Sequence, residues 1–250
     1  MKTIFFTLFA VSSTYAQQPS ATGFFQYQMR WKNAQIICDL FYKNNESAFV
    51  LYSDRLTMPS DTVSESTEGN NRTNIRVNIN DGKDFVLYKN YADRRMISRE
   101  VVANGKKVIV QDTLPELVWK LEGERKQIGP YSCQKATTMF RCARYTVWFT
   151  TAIPLEIGPW KLHGLPGLIV EATNENIDLS YTLLKASYPA TGALTYKIGP
   201  PRSNDPVYTF AQFGAIQNRE IKKMETYMRS MAGNPSGGQF RTQMPECFPN

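Results

Sequence analysis

Short apolar runs broken by tight-turn dipeptides recur along most of this chain, and they restrict it to a mostly β fold. Around Asp81-Gly82, residues 75–79 alternate apolar and polar before the turn, and residues 85–88 are apolar after it. Asp-Gly is a preferred type I′ pair, whose backbone twist matches that of the strands it joins. Asn104-Gly105 closes a second hairpin that sets Val101 against Val108. β-Branched and aromatic residues mark further strands at 24–31, 36–42, 48–52, 117–121, 127–136, 143–149, 168–172, 179–187 and 193–198. Residues 53–73 are polar, lack a pattern and read as a loop. Ile-Gly-Pro occurs at 128, 157 and 198, spaced too unequally for a repeat, and each occurrence reads as a strand end where Pro stops pairing.

The tail changes period. Within residues 209–231, apolar residues fall at Phe213, Ile216, Ile221, Met224, Tyr227, Met228 and Met231, opposed by Arg219, Lys222, Lys223 and Arg229. That stripe predicts an amphipathic helix with one face on a sheet. The expected architecture is a single strongly curved antiparallel sheet, a half-barrel, wrapped around one C-terminal α-helix packed on it. A two-sheet sandwich is the rival. The half-barrel resembles the lipoprotein carriers of bacterial envelopes, a likeness of fold that says little about function. Residues 17–232 read as one domain and residues 233–250, with Gly and Pro, as a loose tail.

Residues 1–16 read as a secretory signal peptide. Lys2 begins it, and Thr14-Tyr15-Ala16 puts small residues where a signal peptidase cuts. Residues 4–11 form its apolar stretch, far shorter than the ~20 residues of a membrane span. No later stretch is apolar enough to span a bilayer, so the expectation is an exported, periplasmic protein, with outer-membrane association open. The net charge is +7, yet no block of like charge exceeds Arg94-Arg95 or Lys106-Lys107. That dispersal, with the compartment, argues against nucleic acid as a partner. Four cysteines in an exported chain suggest disulfides. Cys133 and Cys142 lie symmetrically about Thr137-Thr138, so a hairpin turning there would join them and leave Cys38 and Cys247 as a longer staple. Free, buried thiols are the alternative.

One turn is unusual. Ile157-Gly158-Pro159-Trp160-Lys161-Leu162-His163-Gly164-Leu165-Pro166-Gly167-Leu168-Ile169 sets three Gly and two Pro among Leu, Ile and Trp, where loops ordinarily carry polar residues. Pro166-Gly167 suits the centre of a type II turn. A bend with such flanks packs inward or receives something apolar. Its segment Gly164-Leu165-Pro166-Gly167-Leu168-Ile169 resembles the signature of the GLPGLI family of Bacteroidetes. Tyr131-Ser132-Cys133-Gln134-Lys135-Ala136, Tyr145-Thr146-Val147-Trp148-Phe149-Thr150, Ile153-Pro154 and Gly158-Pro159-Trp160-Lys161 precede it in the family's order. The resemblance covers residues 119–172, with one departure: Phe140-Arg141-Cys142-Ala143-Arg144 stands where the family reads Phe-Arg-Gly-Arg. It implies an exported envelope protein of unassigned activity, often encoded near TonB-dependent transport systems, and hands over no catalytic residue.

A single histidine, His163, constrains the chemistry. Several-His zinc or copper sites cannot be built within one chain. A Ser-His-Asp arrangement would have to use His163, without a Gly-x-Ser-x-Gly elbow to present the serine. There is no phosphate-binding glycine loop. Glu122 pairs with Glu124, and Glu171 with Glu175 and Asp178, but Arg125 and Lys126 mark the first pair as a charge-balanced surface. Cys133 near Lys135, and Cys142 between Arg141 and Arg144, sit where thiolate is favoured. No catalytic residue, metal or cofactor is assigned.

Aromatic residues concentrate in the family-like region. A concavity lined by Trp119, Tyr145, Trp148, Phe149, Trp160, His163, Leu165, Pro166 and Leu168 would suit a lipid, a peptide or another apolar ligand. The same rings also fit a filled core, with the turn plugging one end of the sheet. The expectation is a periplasmic binding or accessory protein serving an outer-membrane transport or assembly system. A hydrolase or thiol-dependent enzyme of the envelope is the alternative, and a structural partner docking through the helix near Met224 is a third. Asp61-Thr62-Val63 and Asp112-Thr113-Leu114 look like O-glycosylation sites of exported Bacteroidetes proteins.

Overall fold

The structure is a computed structural model, and it describes residues 22–56, 81–192 and 194–231. The predicted signal peptide, the arm at 75–79, most of the polar loop, the site at Asp61-Thr62-Val63 and the tail lie outside those residues. The strands in chain order are β1 (Thr22–Trp31), β2 (Ala34–Lys43), β3 (Glu46–Leu51), β4 (Phe85–Asn90), β5 (Arg95–Val101) and β6 (Lys107–Thr113). They continue as β7 (Lys120–Ile128), β8 (Tyr131–Phe140), β9 (Ala143–Thr150), β10 (Leu168–Asn174), β11 (Leu179–Ser187) and β12 (Val207–Thr209), before helix α1 (Phe210–Met231). All twelve join one open sheet in the order β12-β6-β5-β4-β3-β2-β1-β11-β10-β9-β8-β7. Every neighbouring pair is antiparallel except β12 on β6.

Two meanders make this sheet, β1 to β6 and β7 to β11, and the β1–β11 pairing joins them side by side. Consecutive in the chain, β6 and β7 nevertheless stand ten positions apart in the sheet, joined by residues 114–119 alone. The outermost strand, β7, is exposed along most of its length and rich in Lys, Glu and Arg, the kind of charged edge that discourages pairing with another chain.

Strand alternation divides the apolar residues between two faces. On β4, Phe85, Leu87 and Lys89 point one way and Val86 and Tyr88 the other. The first face holds the main core, where Phe25, Tyr27, Leu40, Phe49, Leu87, Met96, Tyr145, Val147, Phe149 and Tyr181 are buried together. Burying each such side chain contributes about 1.5–3 kcal/mol. On the opposite face, Phe41, Val50, Val86 and Ile97 are covered by Leu194, Tyr196 and Ile198 from the segment ahead of β12.

Several sequence expectations need correction. The expected strand at 193–198 is not seen over its described part, 194–198: Leu194, Tyr196 and Ile198 alternate because they face the sheet, but their backbone pairs with no described strand. The runs expected at 117–121 and 127–136 are replaced by β7 and β8, which turn at Gly129-Pro130 with Gly129 at φ 52°. Val101 pairs with Lys107 rather than Val108, because Val102 N–H donates to Lys106 O across a three-residue loop. Helix α1 forms where its stripe predicts. Thr209 and Gln212 cap its start reciprocally, each side chain accepting the other's backbone N–H. The helix does not fill the main core. Phe213 packs on Val102, Val108 and Val110 at the β6 end, and Gln217 bonds the backbone of Val101 and Ala103. No described helix is long and apolar enough to cross a membrane.

Candidate functional site

The loop between β9 and β10 carries the apolar turn, and that turn fills the core. Leu155, Ile157, Leu162, Leu165, Leu168 and Ile169 are all buried. Three glycines make this fit, each for its own reason. A Cβ at Gly167 would lie 2.1 Å from Thr150 O, so the loop presses directly on the end of β9. One at Gly158 would meet Ile169 Cδ1 at 2.7 Å. Gly164 has φ +86°, a conformation that side chains resist, and a Cβ there would meet Trp119 Nε1 at an ordinary 3.8 Å. The expected type II turn at Pro166-Gly167 does not form: Gly167 keeps negative φ, and its N–H donates to Leu165 O at 2.7 Å, a bond spanning three residues as in a γ-turn centred on Pro166.

Buried polar groups hold the turn by its main chain. Lys89, fully buried on β4, donates to Trp160 O at 2.9 Å and Leu162 O at 3.3 Å. Trp119 Nε1 donates to His163 O at 2.9 Å, and Tyr27 Oη donates to Ile169 O at 2.7 Å. The His163 ring lies between Lys161 O and Pro115 O, both at 2.9 Å, and so ties the turn to the β6–β7 joint. Trp160 takes φ 51°, a strained state for a non-glycine residue that surrounding structure must impose. Its ring packs against Phe140 and Tyr145, while Lys89 holds its carbonyl.

These groups do not titrate normally. Burial pushes the Lys89 amine down to about 7, with no carboxylate among the described residues to offset the loss of water. Burial, and then the Lys89 charge, push His163 down to about 4. Two carbonyl acceptors favour imidazolium, yet burial beside a cation outweighs them. His163 is therefore a neutral structural pin at physiological pH: one ring nitrogen donates to its carbonyl, the other faces a carbonyl without a proton, and neither is placed as a general base.

The nine cleft residues divide. Tyr145, Phe149, His163, Leu165 and Leu168 are packed in the core, and Trp119 and Trp160 are half-buried against it. Trp148 belongs elsewhere: it alternates away from Tyr145, Val147 and Phe149, and Lys126 Nζ lies 4.4 Å from its ring centroid. Pro166 is exposed. The turn thus occupies the space a ligand would need among the inner rings. Sequence reasoning missed Lys89 and Tyr27, although parity with Phe85 and Leu87 marks Lys89 as inward-facing.

The expected bridge between Cys133 and Cys142 is not formed. Cys133 and Cys38 are free and buried. The hairpin turns at Arg141-Cys142 rather than Thr137-Thr138, so Cys133 lies nine residues up β8 from the turn, roughly 30 Å along an extended strand. With Cys38 free, the staple from it to Cys247 is absent as well. Burial pushes the Cys133 thiol up to about 11 and Cys38 further, the reverse of what a nucleophile needs. The carboxylates are surface partners of cations: Glu122 with Lys120, Glu124 with Lys135, Glu171 with Lys126 and Glu175 with Arg144. Lys120 holds Glu122 below its ordinary range, where a general acid would need it raised. At Asp112-Thr113-Leu114, the Asp112 carboxylate accepts the Thr113 N–H and pairs with Arg141.

Residues 141–171 match a family model described as a protein of unknown function (Porph_ging). The chain matches no curated protein. Among solved structures it is similar to PNGF-II in two crystal forms. One, in space group C2, gives a TM-score of 0.51 at 14% identity, and the other, in P21, gives 0.52 at 13%. Each match covers 80% of this chain but only about a third, 33% and 34%, of PNGF-II. At that identity the likeness is one of fold.

Proposed function

We propose that this chain is a GLPGLI-type, exported, non-enzymatic binding or accessory protein of the bacterial envelope, built as a strongly curved half-barrel, that holds an apolar or peptide segment for an outer-membrane transport or assembly system. The β6–β7 joint supports the curvature. In a flat sheet, ten strand steps put those strands roughly 48 Å apart, whereas the seven peptide links of the joint reach at most about 25 Å. An ion pair from Asp112 on β6 to Arg141 at the β8–β9 turn likewise connects strands from opposite ends of the sheet order.

The observation that carries the binding reading is how the interior grips its own loop. Lys89, Trp119 and Tyr27 donate to backbone carbonyls of a segment whose side chains are apolar. An extended apolar peptide held the same way would displace this loop and exchange one set of main-chain carbonyls for another, without its side chains being read. Trp31 adds a buried indole N–H with no acceptor among the described residues, a donor left for a bound group. The half-buried Trp119 and Trp160 rings are where such a ligand would meet the loop. The test is purification from the native envelope, with native mass spectrometry and photo-crosslinking from position 119. A bound lipid or peptide mass, or a crosslinked envelope partner, is the expected result. An empty monomer that crosslinks to nothing overturns the reading.

A further inference from the structure

We infer that the sheet face away from the apolar turn carries a separate site for a small, ring-bearing organic anion, a sugar-sized molecule with a carboxylate or phosphate group. Between the β4 end of the sheet and the segment ahead of β12 lies a cavity of about 390 Å³. That volume falls within the range of small-molecule pockets, near its lower end, and fits a monosaccharide better than a lipid chain. Val86 and the Tyr196 ring form its apolar part, and Pro200 and Pro201 stiffen the rim. Tyr196 is fixed as a platform: its ring stacks on Phe41, with centroids 4.8 Å apart and planes at 12°.

The charges in this cavity are unbalanced. Lys83, Lys197, Arg202 and Arg99 line it, against Asp84 as the lining carboxylate. Arg99 is more than neutralised: its guanidinium pairs with Asp81 at 2.5 Å and Asp205 at 2.7 Å, which leaves that triad one negative charge. Asp84 is engaged too, accepting the Ser53 N–H at 3.0 Å. Lys83, Lys197 and Arg202 make no ion pair with any described residue, so their charge is uncompensated by direct contact within the concavity. Three cations around the concavity, set against Asp84 and the one excess carboxylate of the Arg99 triad, leave the site positive by one charge. Arg202 can grip a carboxylate or phosphate in two-pronged fashion, with the lysines as point charges. A ring lying on Tyr196 would place its acidic substituent among them. Nothing in this argument depends on the loop that fills the core, so the site stands or falls independently of the proposed envelope role.

Isothermal titration calorimetry on the whole chain, at about 20 mM salt to limit screening, tests it. The probes are D-glucuronate, glucose as the uncharged control, inorganic phosphate, and phosphatidylglycerol vesicles in phosphatidylcholine. Glucuronate or phosphate should bind and glucose should not. The double variant K197E/R202E, at two exposed loop positions, should weaken the anion at least tenfold, and K197Q/R202Q should weaken it less. K222E/K223E on α1 makes the same change in net charge away from the pocket and should leave affinity unchanged. Equal weakening by the α1 variant, unchanged binding in K197E/R202E, heat from vesicles alone, or no heat from any anion each overturns the assignment.

Discussion

The sharpest test of the packing is Gly167→Ala. The added methyl carbon would sit 2.1 Å from Thr150 O and 2.7 Å from Thr150 C, both backbone atoms of β9. Relieving that overlap requires the loop to retreat by about 1 Å, since comfortable contacts begin beyond roughly 3 Å. A flexible side chain could swing aside, but a strand paired on both edges cannot. Ordinary overpacking costs about 1–3 kcal/mol, so the expected loss is at least about 3 kcal/mol, or roughly 6–12 °C in Tm for a chain of this size. Two other glycines calibrate the result. Gly164→Ala, with space but φ +86°, should lose about 1 kcal/mol. Gly123→Ala, on exposed β7 with nothing within 4 Å, should change stability by less than about 0.5 kcal/mol. Urea denaturation of the three variants with matched m-values reads the series. A Gly167→Ala protein as stable as wild type would refute the claim that this loop presses on β9.

Four further outcomes follow from the buried charges and thiols. Native Lys89 titrates near 7 and the unfolded amine near 10.5, so across that window the unfolded chain binds more protons and stability should rise with pH; K89M should flatten the slope in pH-resolved denaturation and, by orphaning two carbonyls, lower stability overall. His163, with a native value of about 4 against 6.5, contributes stability that is complete above pH 6.5 and lost as pH falls toward 4, and H163Q should remove that acid limb. Cys38 and Cys133 should resist Ellman's reagent in the native protein at pH 8 and react on unfolding, with rapid native labelling counting against their burial. Removing Arg99, 3% exposed, strands Asp81 and Asp205, which water partly reaches, so R99A should cost about 1–2 kcal/mol by denaturation, and a change within error would show the pair network to be idle.

Much of the fold was legible in the chain, for a reason visible strand by strand. β1, β2, β9 and β11 alternate or run apolar because one or both faces are buried. β7 was blurred because Lys120, Glu122, Glu124, Arg125 and Lys126 face water on an edge, so no burial imprints a period on it. The false strand at 193–198 teaches the complementary point: alternation reports which way side chains face and is silent on backbone pairing. The apolar turn was recognised as inward-packing, but its polar clamps were not, since Lys89 and Tyr27 sit tens of residues away and a lysine in a strand reads as solvent-facing. The pocket residues Lys83, Lys197 and Arg202 come from two distant segments, and no local pattern links them.

The seam between β1 and β11 has a kinetic consequence. It joins residues 22–31 to 179–187, so the two meanders can each zip locally while their junction waits for nearly the whole chain. Such long-range closure raises contact order and slows folding. A chain emerging N-terminus first holds Phe25, Tyr27 and Met29 on an unpaired edge until the last hairpin arrives, the interval in which a holding chaperone or premature aggregation has its opportunity.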